Sequence, residues 1–404
     1  MKEWINKNLG SISIQIQTGP FGSQLHQSDY SDIGTPVIMP KDIVDGKISD
    51  DSIARVEEAH VNRLARHKVN EGDIIYPRRG DVRKCAYTVA EQSGWLCGTG
   101  CLRVTIDNKK AVPKYVFYHL QEEKTRGWIE KHAIGATMLN LNTSILSNIP
   151  LRIPRLDVQK KIATILSRYD SLIDNYQKQI KLLEEAAQRL YKEWFVNLRF
   201  PGHESTKIVD GVPEGWEKKR LSDIGNVITG KTPSTSHKEY YGGTIPFITI
   251  PDMHGLFPEN SQYLTDVGAN MQAKKFIPKG SIIVSCIGTA GLVCIAKEIC
   301  QTNQQINSLI LNDIELLGYM YFTLCGLKGH LNNIGSNGAT MTNVSKSKFE
   351  SIETMIPTTR LYKEFNDICS TIFNTIKSLS TQLRLLTESR DRLLPKLLSG
   401  EIEV

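Results

Sequence analysis

The residues that most suggest chemistry form a phosphate-binding pattern. Residues Gly225 to Thr232 read G-x-x-x-x-G-K-T. In nucleotide-binding proteins this pattern joins a buried strand to a helix, so that backbone N–H groups and the helix N-terminus hold the phosphates. Here a charged segment precedes the pattern, and residues Pro233 to Lys238 follow it without apolar periodicity. A P-loop nucleotide-binding protein is therefore an alternative function, and we predict no cofactor.

Other catalytic patterns are missing. The sequence contains no N-P-P-[FY] or D-P-P-[FY] methyltransferase loop and no G-x-G-x-x-G motif after a strand. Its eight cysteines are scattered singly, apart from Cys97 and Cys101, and no second ligand pair follows at zinc spacing. We predict no catalytic residue, no metal site, and cysteines that are buried and reduced.

Side chains suited to DNA occur in several turns. DNA recognition needs cations for phosphates and planar donors or amides for base edges. A basic turn lies between two strand-like runs at Tyr76 to Lys84, and amides cluster at Thr302 to Gln305. Contact with phosphate alone, satisfaction of buried backbone and capping of local turns are the alternative roles of these residues. The predicted DNA-binding residues are Lys41, Asp42, Arg78, Arg79, Arg83, Lys84, Lys231, Thr232, Ser234, Asp252, Asn303, Gln304 and Gln305.

The overall composition is that of a folded protein with more than one domain. With 404 residues, 40% hydrophobic and 23% charged, the chain has enough apolar residues for two or three cores. The net charge of +6 favours a polyanionic partner only weakly. The N-terminus has no apolar signal region, and the most apolar stretch, Ser281 to Ala296, is too short to cross a bilayer. We expect buried strands around a turn there, and a soluble, cytoplasmic protein.

An internal repeat organises the elements that must position these side chains. Residues Gly135 to Asn140 return almost unchanged as Gly338 to Asn343, an offset of 338 − 135 = 203. The pair Ile153-Pro154 returns at the same offset, whereas the offset rises to 208 and 210 further upstream. A changing offset indicates insertions in surface loops, which vary in length, whereas a constant offset indicates the scaffold that the two repeats share. The shared Gly-Ala-Thr-Met box is therefore expected to be structural.

Each repeat reads as an α+β domain. Short apolar runs bounded by turn residues predict strands at 36–39, 73–76, 102–106 and 245–250. Helical stretches are predicted at 113–131 and at the corresponding 316–331.

Each repeat ends in a long helix with a narrow apolar stripe. Residues at alternating steps of four and three make an a/d seam, interrupted in the second helix by Arg390. Matched seams favour an antiparallel coiled coil roughly 50 Å long at 1.5 Å per residue; packing of each stripe on its own domain is the alternative. A loop-like segment at 150–154 is expected to separate domain from helix. The predicted seam residues are Ile162, Leu166, Ile173, Ile180, Leu183, Leu190, Ile372, Ile376, Leu379, Leu383, Leu386 and Leu393.

Several segments, in the order in which they occur along the chain, resemble those of a known family, the DNA-specificity subunits of Type I restriction-modification systems. The resemblance covers essentially the whole chain and rests on segments in both repeats. They are Thr18 to Ser23, Gly34 to Ile38, Ile149 to Pro154 leading into Gln159 to Ile162, Gly211 to Glu217, Thr229 to Ser234, Tyr240 to Gly243 and Lys396 to Ile402.

The resemblance implies two target-recognition domains in tandem, separated by two helices, each reading one half of a bipartite, asymmetric DNA site. It implies a non-catalytic subunit that directs methyltransferase subunits, two in number, and restriction/translocase subunits of an adenine-specific complex to that site. On this basis residues 1–150 form target-recognition domain 1 and 151–200 a central helical spacer. Residues 201–355 form domain 2 and 356–404 a distal helical spacer. An adaptor coiled coil without a DNA role is the remaining alternative.

Overall fold

The computed structural model describes residues 4–335 and 342–404, and the chain forms two compact units. Unit 1 comprises Met1–Asp174 and Arg384–Val404, and unit 2 comprises Asn175–Leu383. The second copy of the Gly-Ala-Thr-Met box, at 338–341, lies outside the described residues.

Unit 1 contains twelve strands and four short helices in its described part, and the first long helix begins there. The strands are β1 Ile5–Asn8, β2 Ser13–Thr18, β3 Tyr30–Ser31, β4 Thr35–Ile38, β5 Ile43–Val44, β6 Lys47–Ile48, β7 Ala54–Val56, β8 Ile74–Pro77, β9 Ala86–Tyr87, β10 Leu96–Cys97, β11 Cys101–Ile106 and β12 Pro150–Ile153. The helices are α1 Glu58–Arg63, α2 Pro113–Gln121, α3 Glu123–His132, α4 Thr143–Ser147 and α5 Leu156–Tyr191.

Unit 1 contains two four-stranded sheets, and the buried strand β8 of one of them contributes side chains to two cores. The sheet orders are β2-β11-β8-β9, which is antiparallel, and β10-β4-β7-β3. Because side chains alternate along a strand, β8 places Ile74 and Tyr76 in one core and Ile75 in another. Burial on both faces explains why this strand reads as an unbroken apolar run.

Unit 2 repeats this arrangement. Its strands are β13 Ile208–Val209, β14 Val212–Pro213, β15 Glu217–Arg220, β16 Gly225–Thr229, β17 Tyr241–Ile248, β18 Gln262–Leu264, β19 Ile282–Ser285, β20 Val293–Ile295, β21 Gln301–Thr302, β22 Ile306–Leu311 and β23 Glu353–Ile356. Its helices are α6 Leu221–Ile224, α7 Asp266–Asn270, α8 Leu317–Gly326, α9 Lys328–Gly335, α10 Lys346–Glu350 and the long α11 Thr359–Ser399. The sheet β16-β22-β19-β20 matches β2-β11-β8-β9, and β19 again alternates between two cores.

The two long helices begin at equivalent residues, since 359 − 156 = 203. No predicted seam residue is exposed. Within unit 1, Arg390 near the end of α11 bonds Asp170 in the first half of α5, with Nη1 3.1 Å from Oδ1. Within unit 2, the ring of Phe365 near the start of α11 lies 6.2 Å from that of Tyr191 at the end of α5. A late residue of α11 thus contacts the first half of α5, and an early residue of α11 contacts the end of α5. This order of contacts is antiparallel, so the predicted α+β fold with an antiparallel helix pair is confirmed.

The segment before the first long helix was predicted wrongly. Residues Pro150–Ile153 form strand β12, which pairs with β1 at the N-terminus, instead of a loop. The sheet tolerates Pro150 because it is the first residue of an edge strand, and Pro154 lies beyond the strand. The first seam residues, Ile162 and Leu166, also belong to the core of unit 1. The alternative in which the stripe packs on its own domain therefore also holds at this helix end.

The other local predictions agree with the structure. Strands β4, β8, β11 and β17 overlap the predicted apolar runs, and each predicted helical stretch forms a pair of helices. Strands β19 and β20 pair around a turn in the most apolar stretch. Cys97 and Cys101 are buried, and burial raises the pKa of the Cys97 thiol to about 12. No helix in the described part of the chain is long and apolar enough to cross a membrane.

Candidate nucleic-acid interface

Most of the predicted DNA-binding residues lie in loops that meet at one end of a sheet. In unit 1 these are loop A (residues 19–23, after β2), loop B (98–100, before β11), loop C (78–84, after β8) and loop D (134–140). In unit 2 the corresponding segments are loop A (230–234), loop B (303–305), loop C (286–292) and, of loop D, the described residues 342–343.

Five backbone hydrogen bonds join these loops in unit 1, and we call them the loop frame. They are Gly19 N to Cys101 O (2.9 Å), Gly98 N to Ile38 O (2.9 Å), Arg78 N to Gly100 O (2.6 Å), Gly80 N to Leu139 O (3.1 Å) and Leu141 N to Arg78 O (2.8 Å). The frame ties loop C to loops B and D, loop A to the start of β11 and loop B to the end of β4, so that loops from distant parts of the sequence lie together.

Unit 2 has the same loop frame at equivalent residues. Its bonds are Gly230 N to Ile306 O (3.0 Å), Asn303 N to Ile248 O (3.1 Å), Cys286 N to Gln305 O (2.8 Å), Gly288 N to Thr342 O (3.0 Å) and Val344 N to Cys286 O (2.9 Å). The offset between equivalent residues is 203 at loop D, 205 at loop B, 208 at loop C, 210 at Ile38 and 211 at loop A, so it rises upstream as the repeat offset does. The conserved part of the repeat is therefore the backbone arrangement of the loops.

Glycine is required where loop A crosses loop B. A Cβ atom on Gly19 would lie 2.0 Å from the carbonyl oxygen of Gly98, and one on Gly230 would lie 2.2 Å from that of Asn303. Both distances are far below van der Waals contact. This packing explains why glycine occurs at the start of loop A in both repeats.

The basic turn of loop C is the main cationic feature of the unit 1 loops. Arg79 is exposed, and neither Arg78 nor Arg79 has an ion-pair partner within the described residues. The guanidinium of Arg78 lies over the ring of Phe21 in loop A, 5.9 Å from its centroid. Unpaired, accessible guanidinium groups are the side chains best suited to phosphates and guanine.

The other two cations of loop C are already paired. Arg83 contacts Glu123 at 2.6 Å and Glu130 at 3.0 Å on α3, and Lys84 lies 3.3 Å from Asp81. Hydrogen bonding to Glu123 raises the pKa of Arg83. Arg83 thus anchors loop C to α3 and has less capacity to contact DNA than Arg79.

Asp42 and Asp252 act as caps of equivalent turns. Each carboxylate accepts a hydrogen bond from the backbone three residues earlier, Met39 N at 2.8 Å and Thr249 N at 2.7 Å. Both are buried, with 3% and 2% of their surface exposed. The geometry favours the capping role over base or phosphate contact for these two residues, because each carboxylate is buried and bonded to its own turn. Lys41 remains exposed and bonds Ser52 O at 3.1 Å.

The unit 2 loops present neutral polar groups together with one lysine. Lys231 is exposed, and Thr232 donates its hydroxyl proton to the exposed Gln304. Asn303 is buried and bonds Gln305 through its side-chain amide at 3.2 Å, and Ser234 bonds Ser236 at 2.7 Å. Gln304 is therefore the accessible amide of the predicted cluster, whereas Asn303 supports loop B.

The structure around Lys231 differs from a phosphate-binding loop. Residues Gly225–Thr229 of the pattern are themselves strand β16, and Gly230 crosses loop B. The next helical residues are a short 3-10 turn at Lys238–Tyr240. The helix N-terminus that holds phosphates in such loops does not follow the pattern.

Three residues of the loops were missed by the sequence prediction. Phe21 is 54% exposed beneath Arg78. In the loop frame, Ile287 of unit 2 is the equivalent of Arg79, and Thr99 of unit 1 is the equivalent of Gln304. The rise of the repeat offset from 203 to 208 was the sequence signal that could have identified Ile287 and Thr99 as the equivalent residues. Aligning the loops one by one would have paired them.

Comparisons with known proteins agree with this arrangement. The family model for the Type I restriction modification DNA specificity domain matches residues 1–185 and again 213–388. The chain is 29% identical over 470 residues to the Type I restriction enzyme HindI specificity subunit of Haemophilus influenzae, covering all of both proteins. It is 26% identical over 413 residues to the MjaIX specificity subunit of Methanocaldococcus jannaschii, covering 100% of this chain and 94% of that one.

A solved structure shares the fold. The S subunit of a Type I restriction-modification system from M. genitalium superposes with a TM-score of 0.66 at 16% identity, covering 98% of this chain and 96% of the other. The fold and the paired loop frames define a tandem repeat of one α+β domain. The chain belongs to the family of Type I restriction-modification specificity subunits, as the resemblance implied.

Proposed function

We propose that this chain recognises a bipartite, asymmetric DNA site, each unit contacting one half through its own loops A to D. The observation that carries the proposal is the shared loop frame: five equivalent backbone bonds hold the loops in each unit, while the side chains on those loops differ. A common frame with different side chains is what two related domains need in order to bind different sequences. The approach to DNA is favoured by the unpaired cations Arg79 and Lys231.

In this proposal the target-recognition domains are residues 1–150 and 201–355, and residues 151–200 and 356–404 act as spacers. A helix pair of roughly 50 Å sets the distance between the half-sites, so that their centres lie on the order of one DNA turn apart, ~10 bp.

The partners in this proposal are two methyltransferase subunits, which dock on the long helices, and restriction/translocase subunits that join for cleavage. Two exposed leucines support equivalent docking positions: Leu182 on α5 is 54% exposed and Leu385 on α11 is 49% exposed. They are related by the repeat, since 385 − 182 = 203. Exposed apolar residues on an otherwise charged helix face are a feature of protein–protein contacts.

The experiment is selection of DNA from a random-sequence pool by the chain in complex with its methyltransferase subunits. The proposal predicts that the recovered sequences share two short defined segments, different from each other and separated by a constant number of undefined base pairs. Binding should weaken steeply with added salt, since phosphate contacts release counterions.

A single continuous motif would overturn the bipartite reading. No sequence preference at all would favour the adaptor coiled coil. Nucleotide binding by the chain that is abolished by Lys231→Ala would favour the P-loop alternative, which the geometry around β16 opposes.

A further inference from the structure

We infer that the two units present their base-reading side chains on different loops of the same frame: Arg79 on loop C in unit 1, and Gln304 on loop B in unit 2. This inference rests on the proposed function and assigns the kind of base pair that each unit reads. It follows from comparing the frame positions one by one.

Arg79 occupies the tip of loop C. Its neighbours are both fixed by the frame, because Arg78 bonds Gly100 and Leu141, and Gly80 bonds Leu139. The backbone of Arg79 is therefore held in place, while its side chain is exposed. At the same position in unit 2, between Cys286 and Gly288, stands Ile287.

The isoleucine side chain cannot donate hydrogen bonds. Ile287 therefore cannot recognise a base edge as Arg79 can at the equivalent position of unit 1. The described remainder of loop C in unit 2, from Gly288 to Leu292, contains no cation or amide. Polar reading by unit 2 must therefore come from another loop.

Gln304 occupies the tip of loop B. Asn303 and Gln305 on either side are fixed by frame bonds to Ile248 and Cys286. The side chain of Gln304 is exposed. The equivalent residue of unit 1 is Thr99, since 304 − 99 = 205, and it stands between two glycines.

A single hydroxyl, as on Thr99, cannot form the paired contacts of an amide, and Gly98 and Gly100 contribute no side chain. Loop B of unit 1 is therefore a poor reader. The base-contacting side chain thus lies on loop C in unit 1 and on loop B in unit 2.

Loop A orients a polar group in each unit. In unit 2 the hydroxyl of Thr232 donates to Oε1 of Gln304. This bond leaves the second lone pair of Oε1 and both N–H groups of Nε2 for a ligand. In unit 1 the equivalent residue is Phe21, since 232 − 21 = 211, and its ring lies beneath Arg78. Thr232 is thus a positioning residue for Gln304.

The chemistry of the two readers differs in a defined way. A guanidinium donates two parallel hydrogen bonds to O6 and N7 of guanine. An amide accepts from N6 and donates to N7 of adenine. We therefore expect a guanine read by Arg79 in the half-site of unit 1, and an adenine read by Gln304 in the half-site of unit 2.

The experiment uses substitutions that the chain itself supplies. Arg79→Ile and Gln304→Thr place at each frame position the residue that the other unit carries there. Lys109→Ile is the matched charge control, because Lys109 is exposed beyond Ile106, at the opposite end of β11 from loop B. Thr232→Val removes the hydroxyl, and Thr232→Ser restores it.

Each full-length variant is expressed with its methyltransferase subunits in a host without other adenine methylation, and the methylated adenines are mapped. Affinities are then measured on duplexes carrying single base-pair changes in each half-site. Arg79→Ile should lower the discrimination for one guanine of the first half-site by roughly 5- to 150-fold and leave the second half-site unchanged. Gln304→Thr should do the same for one adenine of the second half-site only.

Thr232→Val should weaken discrimination at the position that Gln304→Thr affects, Thr232→Ser should retain it, and Lys109→Ile should change neither half-site. If Arg79→Ile or Gln304→Thr lowers affinity equally for all duplexes while the motif is unchanged, the residue contacts phosphate only and the inference is wrong. If the wild-type chain yields no split motif, the proposed function itself fails, which is a distinct result.

Discussion

Two equivalent aspartates show how the same turn is stabilised differently in the two units. Burial tends to raise the pKa of Asp252, but hydrogen bonds from Ser261 and Thr249 outweigh it and hold this pKa below its usual value. For Asp42 burial prevails over the bond from Met39 and the nearby charge of Lys41, and its pKa is raised. Ser261 has no counterpart among the hydrogen-bond partners of Asp42.

These opposite shifts give opposite dependences of stability on pH. A lowered pKa in the folded state stabilises above the unfolded value of about 3.9, and this contribution is lost as the pH falls through the folded pKa. A raised pKa contributes stability below the unfolded value, which is lost as the pH rises through the folded pKa. The charge of Asp252 therefore stabilises its turn at neutral pH, whereas that of Asp42 does not.

We predict that Asp252→Asn lowers the opening free energy of its turn by about 1–3 kcal/mol at pH 7, because the donors of Thr249 and Ser261 lose an ionised acceptor. Asp42→Asn should change its own turn by less than about 1 kcal/mol. Hydrogen-exchange mass spectrometry of the segments 249–261 and 39–42 measures both. An equal cost for the two substitutions, or a cost for Asp252→Asn that persists unchanged below pH 4, would contradict this explanation.

Sequence alone located the arginine turn and the amide cluster, because both are local runs of residue types. It could not separate Arg79 from Arg83, since the carboxylates of Glu123 and Glu130 that pair Arg83 lie far along the chain. Nor could it show that Asn303 is buried while Gln304 is exposed, because that depends on which residues the frame bonds hold inward.

At the scale of elements, the structure explains why a charged residue, Arg390, stands in the apolar seam of the second long helix. Arg390 interrupts the apolar stripe of α11, and its guanidinium bonds Asp170 on α5 at 3.1 Å. The other oxygen of Asp170 accepts the hydroxyl of Tyr118 from α2 at 2.5 Å. This chain of bonds joins the domain part of unit 1 to both helices.

We predict that Arg390→Ala destabilises the helix packing in unit 1 by about 1–3 kcal/mol, because it leaves a half-buried carboxylate with one partner. The matched control is Arg384→Ala on the same helix, whose exposed pair with Glu388 should contribute less than about 0.5 kcal/mol. A double-mutant cycle with Asp170→Asn, followed by urea unfolding of the full chain, measures the coupling. Equal effects of the two arginine substitutions would show that the seam does not need this ion pair.

The helices themselves were predictable, because an a/d stripe sustained over several heptads is a strong periodic signal. The strand at Pro150–Ile153 was not, because two prolines within five residues favour a loop and its partner β1 lies at the far N-terminus. Whether such a segment forms a strand depends on pairing with a distant segment, and a local sequence pattern does not indicate that pairing.

At the scale of the whole molecule, the repeat separates parts that match from parts that differ. The helix starts, the order of the antiparallel four-stranded sheet and the loop frame recur at equivalent residues. The exposed side chains at the tips of loops B and C do not. We therefore expect spacing and base reading to be independent properties of one chain.

This independence can be tested by lengthening the spacer. Seven residues, one heptad, are inserted into α5 between Asp174 and Asn175 and into α11 between Leu383 and Arg384, where the two units divide. A heptad keeps the seam in register and adds roughly 10 Å, or about 3 bp of DNA. Insertion in α5 alone is the control, since it breaks the match between the helices and should abolish site-specific methylation.

The deciding measurement is the map of methylated adenines produced by the doubly lengthened chain with its methyltransferase subunits, compared with that of the wild type. We predict that both half-site sequences stay unchanged and that the undefined segment between them becomes longer by about 3 bp. An unchanged spacing, or a change in the bases of either half-site, would contradict it.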